Sequence, residues 1–93
     1  MLYLIHAIDK EGCEGLRKSL LGEQIEYVNS AINIKIILAG PLLIENENDS
    51  SGSLLIVDAE NRNEVNIFIS ETPFFINGLW ETLMINKFIT ISK

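Results

Sequence analysis

Apolar residues fill both alternating faces of the first segment of the chain, residues 2–8. One face carries Leu2, Leu4, His6 and Ile8, and the other carries Tyr3, Ile5 and Ala7. Strands that are covered on both sides have this near-continuous apolar pattern, whereas a half-exposed strand alternates with polar residues. The segment is therefore predicted to be a central strand of a sheet.

From Gly12 the spacing of apolar residues changes from two to three and four. The apolar stripe consists of Cys13, Leu16, Leu20, Leu21, Ile25, Val28 and Ile32. The polar side consists of Glu14, Lys18, Glu23, Glu26 and Asn29. This spacing predicts an amphipathic helix. Gly22 lies inside it and costs about 1 kcal/mol relative to alanine, which favours a kink or break at that point.

The middle of the chain contains two further strand patterns. Residues 35–39 are predicted to form the second strand, which Gly40 and Pro41 end because proline cannot donate a hydrogen bond to a ladder. Whether residues 42–44 continue this strand is left open by the pattern. Residues 45–53 are polar and acidic, which is typical of a solvated connection. Residues 54–57 are predicted to form the third strand.

The last third of the chain predicts a helix and a strand. Asp58 or Asn61 is suited to cap the helix, which must end before Pro73. The residues that share its apolar face are Val65, Phe68 and Ile69. Asn77 and Gly78 are a turn signal. Residues 79–91 are then predicted to form the last strand, with Leu83, Ile85, Ile89 and Ile91 alternating against polar positions.

The order strand, helix, strand, strand, helix, strand is that of the ferredoxin-like split βαβ fold. This is an α+β domain with an antiparallel four-stranded sheet and two helices on one face, here a single domain over residues 1–93. Two helices cover only half of the sheet, yet the first and third strands are apolar on both faces. Each uncovered aliphatic side chain loses on the order of 1.5 to 3 kcal/mol. A homodimer through the sheet face is therefore expected.

Composition and charge exclude several classes of partner. Of 93 residues, 47% are hydrophobic and 22% are charged, as in an ordinary folded chain. The net charge of −6 argues against nucleic acid as a partner. The longest nearly apolar stretch, residues 34–44, is shorter than the roughly 20 residues of a membrane helix. No membrane partner is expected.

The single Cys13 bears on location and cofactors. One cysteine cannot form an intrachain disulfide, and neither it nor the single His6 has the spacing of a zinc site. No metal or cofactor is expected. The first residues also lack the basic leader of a signal peptide. A reducing, cytoplasmic location is therefore predicted.

Three segments of the sequence resemble, in their order and spacing, segments of a known family. Residues 1–5, residues 37–42 with Ala39, Gly40 and Pro41, and residues 72–75 followed by Gly78 resemble the YciI-like (YCII-related domain) proteins. The Ala-Gly-Pro sequence after a strand is the most specific piece. The resemblance spans nearly the whole chain. It implies a dimeric α+β barrel, in which the sheets of two ferredoxin-like subunits pack together.

The resemblance also indicates where a site would lie. Family members typically carry a histidine in the first long helix and an aspartate before the proline of an Asp-Pro-aromatic motif, proposed as a catalytic pair. In this chain the two positions fall on Gln24 and Thr72, and a gap would move the first to Glu23. An arginine that is common upstream matches Arg17. Because glutamine and threonine do not exchange protons near neutral pH, the family's acid–base mechanism does not transfer to this chain.

Arg17, Gln24 and Thr72 are the candidate ligand-binding residues, and a small, anionic metabolite is the expected ligand. An arginine fork pairs with a planar anion by two hydrogen bonds. Two alternatives stay open. Arg17 could instead form a solvated ion pair with Glu14 or Glu23, which is worth little. Gln24 could lie at the edge of the stripe, where its amide bonds to water or to backbone.

His6 is the candidate catalytic residue of a competing hypothesis, in which the chain is a lyase- or isomerase-like enzyme that uses His6 or a water held by Gln24. Imidazole is the side chain whose charge changes nearest neutral pH. A lone histidine in a strand more often makes a structural hydrogen bond. A third hypothesis is a non-catalytic structural or partner-binding module. The sequence leaves open whether the chain is an enzyme and which ligand it binds.

Other conspicuous residues have simpler interpretations. Cys13 near the helix start is interpreted as a small buried apolar residue. Glu45, Glu47 and Asp49 alternate in the polar connection, which lacks the glycine and distal glutamate of a calcium loop. A cluster of aromatic residues serves either a pocket mouth or the core and dimer packing. Its members are Phe74, Phe75 and Trp80.

Overall fold

The computed structural model describes residues 1–45 and 49–92, so Glu47 of the acidic connection lies outside the described residues. The elements are β1 Leu2–Asp9, α1 Glu14–Asn29, β2 Lys35–Leu43, β3 Ser50–Asp58, α2 Arg62–Ser70, α3 Pro73–Ile76 and β4 Trp80–Phe88. The predicted α+β fold with βαββαβ order is confirmed, with one short helix added before the last strand. None of the described helices combines the length and the apolar character needed to span a membrane.

The four strands form one antiparallel sheet in the order β2-β3-β1-β4. β1 is hydrogen-bonded to β3 on one side and to β4 on the other. This confirms the predicted central strand. Tyr3, Ile5 and Ala7 of β1 are buried on the face that the helices cover, where they join the core with Leu55 and Val57 of β3.

The helix after β3 begins and packs as predicted. Asn61 is its cap, because its Oδ1 accepts a hydrogen bond from the backbone nitrogen of Glu64 at 3.0 Å. Asp58, the other candidate cap, lies at the end of β3. The predicted apolar face is the buried one, comprising Val65, Phe68 and Ile69.

The long helix differs from the prediction in two ways. It runs unbroken from Glu14 to Asn29 through Gly22, without a break at the glycine. Its buried residues are Arg17, Leu20 and Gln24, whereas Leu21 and Ile25 of the predicted stripe are exposed. The helix is rotated relative to the predicted stripe because two polar side chains find hydrogen-bond partners, Arg17 on the sheet and Gln24 on α3. The spacing of apolar residues within the helix carries no information about those partners.

β2 continues through Gly40 and Pro41 to Leu43, where the sequence predicted an end at Gly40. The sheet order explains the difference, since β2 is an edge strand and proline's missing donor is tolerated at an open edge. β3 also begins earlier than predicted, at Ser50. Gly52 is required there, because a Cβ at this position would clash with the backbone oxygen of Ala7.

The chain turns twice between α2 and β4. α2 ends at Ser70, before Pro73 as predicted, and a separate short helix, α3, begins at Pro73. Gly78 takes the left-handed conformation, with φ of 70°, at the predicted turn. β4 ends at Phe88 rather than at residue 91, because Phe88 pairs with Leu2, the first residue of β1. Among the described residues, 89–92 therefore have no neighbouring strand.

The sheet face opposite the helices is mostly apolar, and no element of the described chain packs on it. We call it the open face. Its apolar residues and its histidine include Leu2, Leu4, His6, Ile8, Leu38, Leu54, Ile56, Met84 and Phe88. Of these, Leu38, Met84 and Phe88 are among the exposed large hydrophobic side chains, and the other six are half-buried. Polar residues of the same face are Lys35, Asp58, Thr82 and Asn86.

Tyr27 joins the two main helices. Its ring stacks on Phe68 with 5.3 Å between the centroids, and its hydroxyl donates to the backbone oxygen of Phe68 at 2.7 Å. Partial burial, and secondly the nearby Glu71 carboxylate, raise the pKa of Tyr27 above its usual 10.0. Since the pKa is raised in the folded state, this contribution to stability is present below pH 10 and is lost as the pH rises through the folded pKa.

Tyr27→Phe is expected to cost about 1 kcal/mol at pH 7, because one hydrogen bond is removed while the ring stacking remains. Above pH 10 the difference between variant and wild type is expected to shrink, since only the wild-type side chain ionises. Urea unfolding at pH 7 and at alkaline pH measures both effects. A difference that stays constant across this range would contradict the assignment.

Candidate functional site

A cavity of about 350 Å³ lies between α1, β2 and β3. We call it the Arg17 cavity. Its apolar lining consists of Leu21, Ile25, Val28, Ala39, Gly40, Pro41, Leu55 and Phe74. Its polar lining consists of Arg17, Gln24, Asn29 and Ser53. Leu21, Ile25 and Val28, three of the seven residues of the predicted stripe, thus form part of a cavity wall.

Arg17 is held rigidly at one wall of this cavity. Its Nε donates to Oδ2 of Asp9 at 2.6 Å, and its Nη2 donates to Oδ1 at 3.2 Å. Nη2 also donates to the backbone oxygen of Gly52 at 2.8 Å and to Oγ of Ser53 at 2.7 Å. The Arg17 and Asp9 side chains are only 7% and 8% exposed. The charge of the guanidinium is therefore compensated inside the protein, by a partner other than the predicted alternatives Glu14 and Glu23.

The guanidinium of Arg17 also contacts an aromatic ring. Its Cζ lies 4.7 Å from the ring centroid of Phe74, which is a cation–π distance. Phe74 in turn contacts Trp80 edge-on, with 6.0 Å between the ring centroids. Within residues 1–45 and 49–92, Nη1 of Arg17 makes no hydrogen bond. One amino group of the fork is thus free for a ligand.

Gln24 lies two turns further along α1 and contributes the second polar group. Its Oε1 accepts a hydrogen bond from the backbone nitrogen of Phe74 at 3.0 Å, which fixes the orientation of the amide. The Nε2 group has no acceptor among the described residues. The sequence left open whether the Gln24 amide lines a cavity or bonds to backbone. In the structure it does both.

Thr72 is fully buried and does not line the Arg17 cavity. Its Oγ1 donates to the backbone oxygen of Ile69 at 2.8 Å and accepts from the backbone nitrogen of Phe75 at 3.3 Å. These bonds begin α3, which carries Phe74 to the cavity. Thr72 is thus near the cavity in sequence, but its side chain does not face it. Its hydroxyl stabilises the start of α3 and so helps to position Phe74.

His6 lies on the other side of the sheet. It pairs with Leu54 and Met84 on the open face, whereas Ser53 and Leu55 face the Arg17 cavity. The candidate ligand-binding residues and the candidate catalytic histidine therefore do not share a cavity. Among the described residues no group of three or more metal-ligating side chains comes together.

Asp9 and Ser53 are the site residues that sequence reasoning missed. Asp9 ends β1 and lies eight residues before Arg17, so the pair is joined across the turn between strand and helix. A carboxylate at the end of a central strand was the available signal. Ser53 is 36 residues away from Arg17, and only the pairing of β3 with β1 brings it close.

The remaining conspicuous residues fall outside the lining of the Arg17 cavity. Cys13 is half-buried at the start of α1 and packs against the core without capping the helix through its side chain. Trp80 belongs to the core, and Phe75 is exposed. Asp49 lies 4.0 Å from Lys18 in a surface ion pair. Of the three clustered aromatic residues, Phe74 alone reaches the cavity.

The polar and apolar groups of the Arg17 cavity are able to bind a ligand. The described lining contains no carboxylate, imidazole, thiol or phenol that could transfer a proton. Its N–H donor side chains are those of Arg17, Gln24 and Asn29, among mostly aliphatic walls. Donors of this kind recognise the oxygen atoms of a ligand, and apolar walls recognise its carbon body.

Comparison with known proteins places the chain among related folds. The sequence model described as "YCII-related domain" matches residues 1–89. The comparison with curated protein sequences gives no match. Among solved structures, the chain is similar to 5-chloro-2-hydroxyhydroquinone dehydrochlorinase (TftG) from Burkholderia phenoliruptrix AC1100, in complex with 2,5-dihydroxybenzoquinone. The sequences are 29% identical, 96% of this chain and 94% of that chain are covered, and the TM-score is 0.89.

A second solved structure, At3g17210 from Arabidopsis thaliana, is similar in fold. The identity is 18%, the coverage is 99% of this chain and 98% of that chain, and the TM-score is 0.52. At this identity the similarity shows the fold alone.

Proposed function

The chain belongs to the family of YCII-related domains, and on that premise we propose that it is a homodimeric domain that binds a small metabolite in the Arg17 cavity. The ligand has an apolar body and an anionic oxygen group that faces Arg17 and Gln24. The observation that carries the proposal is that these two residues present unpaired N–H donors at one wall of an otherwise largely aliphatic cavity.

The size and the charge of the cavity narrow the class of ligand. A volume of about 350 Å³ is at the lower end of the range of small-molecule sites. Because Asp9 already compensates Arg17, the site favours one carboxylate or phenolate rather than a highly charged anion. Phe74 contributes an aromatic ring to the lining. A small aromatic acid or an oxygenated ring fits these features, and TftG is in complex with 2,5-dihydroxybenzoquinone.

Binding is proposed with weak or no turnover. We take Gln24 and Thr72, on a count without gaps, as the counterparts of the family's histidine and aspartate, and neither side chain exchanges a proton near neutral pH. The hydroxyl of Thr72 is also occupied by the two hydrogen bonds at the start of α3. The dehydrochlorination that TftG's name describes is therefore not assigned to this chain. Gln24 is proposed to position a ligand by hydrogen bonding.

Exposed apolar side chains support the homodimer. Leu38, Met84 and Phe88 of the open face are 48%, 56% and 36% exposed. A second copy packed on this face would bury them.

Gln24→Met is expected to weaken ligand binding at least tenfold, because it removes the amide donors while keeping the length of the side chain. We expect it to cost about 1 to 3 kcal/mol of stability as well, since the backbone nitrogen of Phe74 loses its acceptor. Thermal-shift titration of the dimer with benzoate, salicylate and 2,5-dihydroxybenzoquinone measures binding. Each dissociation constant is compared with that of the wild type.

Asn66→Met is the matched control, because it removes an exposed amide from α2, away from the cavity. It is expected to leave binding unchanged. Failure of all three compounds to raise the melting temperature of the wild type would contradict the proposed ligand class. Equal binding by wild type and Gln24→Met would contradict the role of Gln24.

A further inference from the structure

We propose that Ser53 is a third hydrogen-bond donor of the Arg17 cavity, and that the cavity therefore selects an ionised carboxylate over an uncharged amide of the same shape. Ser53 belongs to β3, lines the cavity and is only 7% exposed. This inference rests on the proposed function, because it names the chemical group that Arg17 and Gln24 bind. It adds one residue to the binding site and identifies a class of ligand that the site rejects.

Arg17 determines the direction in which the Ser53 hydroxyl points. A serine hydroxyl has one hydrogen to donate and two lone pairs that accept. Nη2 of Arg17 donates to Oγ of Ser53 at 2.7 Å, so a guanidinium N–H occupies one of these lone pairs. Because the hydroxyl hydrogen cannot bond to this positively charged donor, it points away from Arg17. A hydroxyl that accepts from a cation is also a stronger donor, since each hydrogen bond polarises the next.

The hydroxyl hydrogen of Ser53 has no acceptor within residues 1–45 and 49–92, where the bond from Arg17 is the one that Oγ makes. The neighbouring strands explain why. Ser53 lies between Pro41 of β2 and Ala7 of β1 across the sheet, and neither of these side chains carries a hydrogen-bond acceptor. The hydroxyl is therefore available to a ligand in the cavity that Ser53 lines.

The buried polar side chains of the cavity lining all offer donors to a ligand. Oε1 of Gln24 is occupied by the backbone nitrogen of Phe74, which leaves the Nε2 amino group. Nη1 of Arg17 and Nε2 of Gln24 make no hydrogen bond within the described residues and are not fully buried, so both reach the open space of the cavity. Asn29, the remaining polar residue of the lining, is exposed. The buried wall thus presents N–H and O–H groups, and its acceptor oxygens are already hydrogen-bonded.

An ionised carboxylate is the ligand group that matches a wall of donors. Its two oxygens accept about four hydrogen bonds and donate none. A primary amide of the same shape replaces one oxygen by an NH₂ group, whose hydrogens would face the donors of the wall. Because buried polar groups without partners lose free energy, a site built in this way rejects the amide. Hydrogen bonds to the charged carboxylate are also the stronger ones.

Calorimetric titration of the full chain with benzoate and with benzamide tests the selectivity, because the two compounds share one ring and one shape. We expect the wild type to bind benzoate roughly tenfold more tightly than benzamide. Ser53→Ala removes the hydroxyl, while Nη2 of Arg17 still donates to Gly52 and Asp9. We expect this variant to bind benzoate about tenfold more weakly and to lose less affinity for benzamide, since a hydrogen bond to a charged acceptor contributes more.

Ser51→Ala is the matched control. Ser51 lies two residues before Ser53 in β3, its hydroxyl donates to the backbone oxygen of Leu42 at 3.3 Å, and it does not line the cavity. It is expected to leave both dissociation constants unchanged. Circular dichroism verifies the fold of each variant, and the comparison of benzoate with benzamide on the wild type needs no variant.

The outcomes separate this inference from the proposed function. A wild type that binds benzoate, with no loss of affinity in Ser53→Ala or with an equal loss in Ser51→Ala, would overturn the role of Ser53 and leave the proposed binding site intact. Equal affinity of the wild type for benzoate and benzamide would overturn the selectivity. A wild type that binds neither compound would overturn this inference and the proposed ligand class together.

Discussion

Asp9→Ala is expected to lower the free energy of unfolding by about 3 to 5 kcal/mol, the largest effect on stability of any single change considered. The substitution leaves the guanidinium of Arg17 buried with only the oxygens of Gly52 and Ser53 as partners. Removing one member of a buried ion pair costs this much because the remaining charge is neither solvated nor compensated. Urea unfolding at pH 7 measures the change.

Two controls separate the buried pair from charge in general. Asp49→Ala breaks the exposed contact with Lys18, at 4.0 Å, and is expected to cost at most about 1 kcal/mol. Asp9→Leu combined with Arg17→Met removes both buried charges and is expected to recover most of the lost stability. Equal effects of Asp9→Ala and Asp49→Ala would show that the Asp9 carboxylate does not compensate Arg17.

All of the strands and helices except α3 could be predicted from the sequence, because each of them has a local cause. The change of apolar spacing at Gly12 marks the end of the first strand, and Asn61 caps a helix whose apolar face is the buried one. The course of β2 could not be predicted in the same way. Whether proline ends a strand depends on whether that strand lies at an edge, and strand order is not encoded within nine residues.

The face of α1 illustrates a second limit. Hydrophobic spacing selected Leu21 and Ile25 for the core, yet the buried positions include Arg17 and Gln24. Burial of those two polar residues is stable only because Asp9 and the backbone nitrogen of Phe74 pair with them. Both partners come from other parts of the fold. The pattern of apolar residues within α1 therefore cannot predict that Arg17 and Gln24 are buried.

The candidate site was located better by resemblance than by pattern. Resemblance to the family singled out Arg17 and Gln24, which both line the cavity. It also singled out Thr72, whose side chain holds the start of α3. Position in a motif shows that a residue lies near a site. Only the hydrogen bonds show whether its side chain faces the ligand or supports a neighbour that does.

Met84→Lys is expected to raise the dissociation constant of the proposed homodimer at least 100-fold, which corresponds to about 2.7 kcal/mol. Met84 is 56% exposed in the protomer and lies beside His6 on the open face. The protomer itself should therefore fold normally. In a two-fold interface the substitution occurs twice, and each ammonium group would be buried without a partner. Sedimentation equilibrium measures the association, and circular dichroism verifies the fold.

The test of the open face depends on comparing Met84→Lys with the same change on a surface that the dimer leaves free. Ile76→Lys provides it, since Ile76 is 66% exposed on α3, on the opposite side of the sheet from the open face. It is expected to leave the dissociation constant unchanged, because the added charge stays in water. Similar weakening by both variants would indicate a general effect of net charge. An unchanged dimer in Met84→Lys would mean that a second copy does not cover the open face.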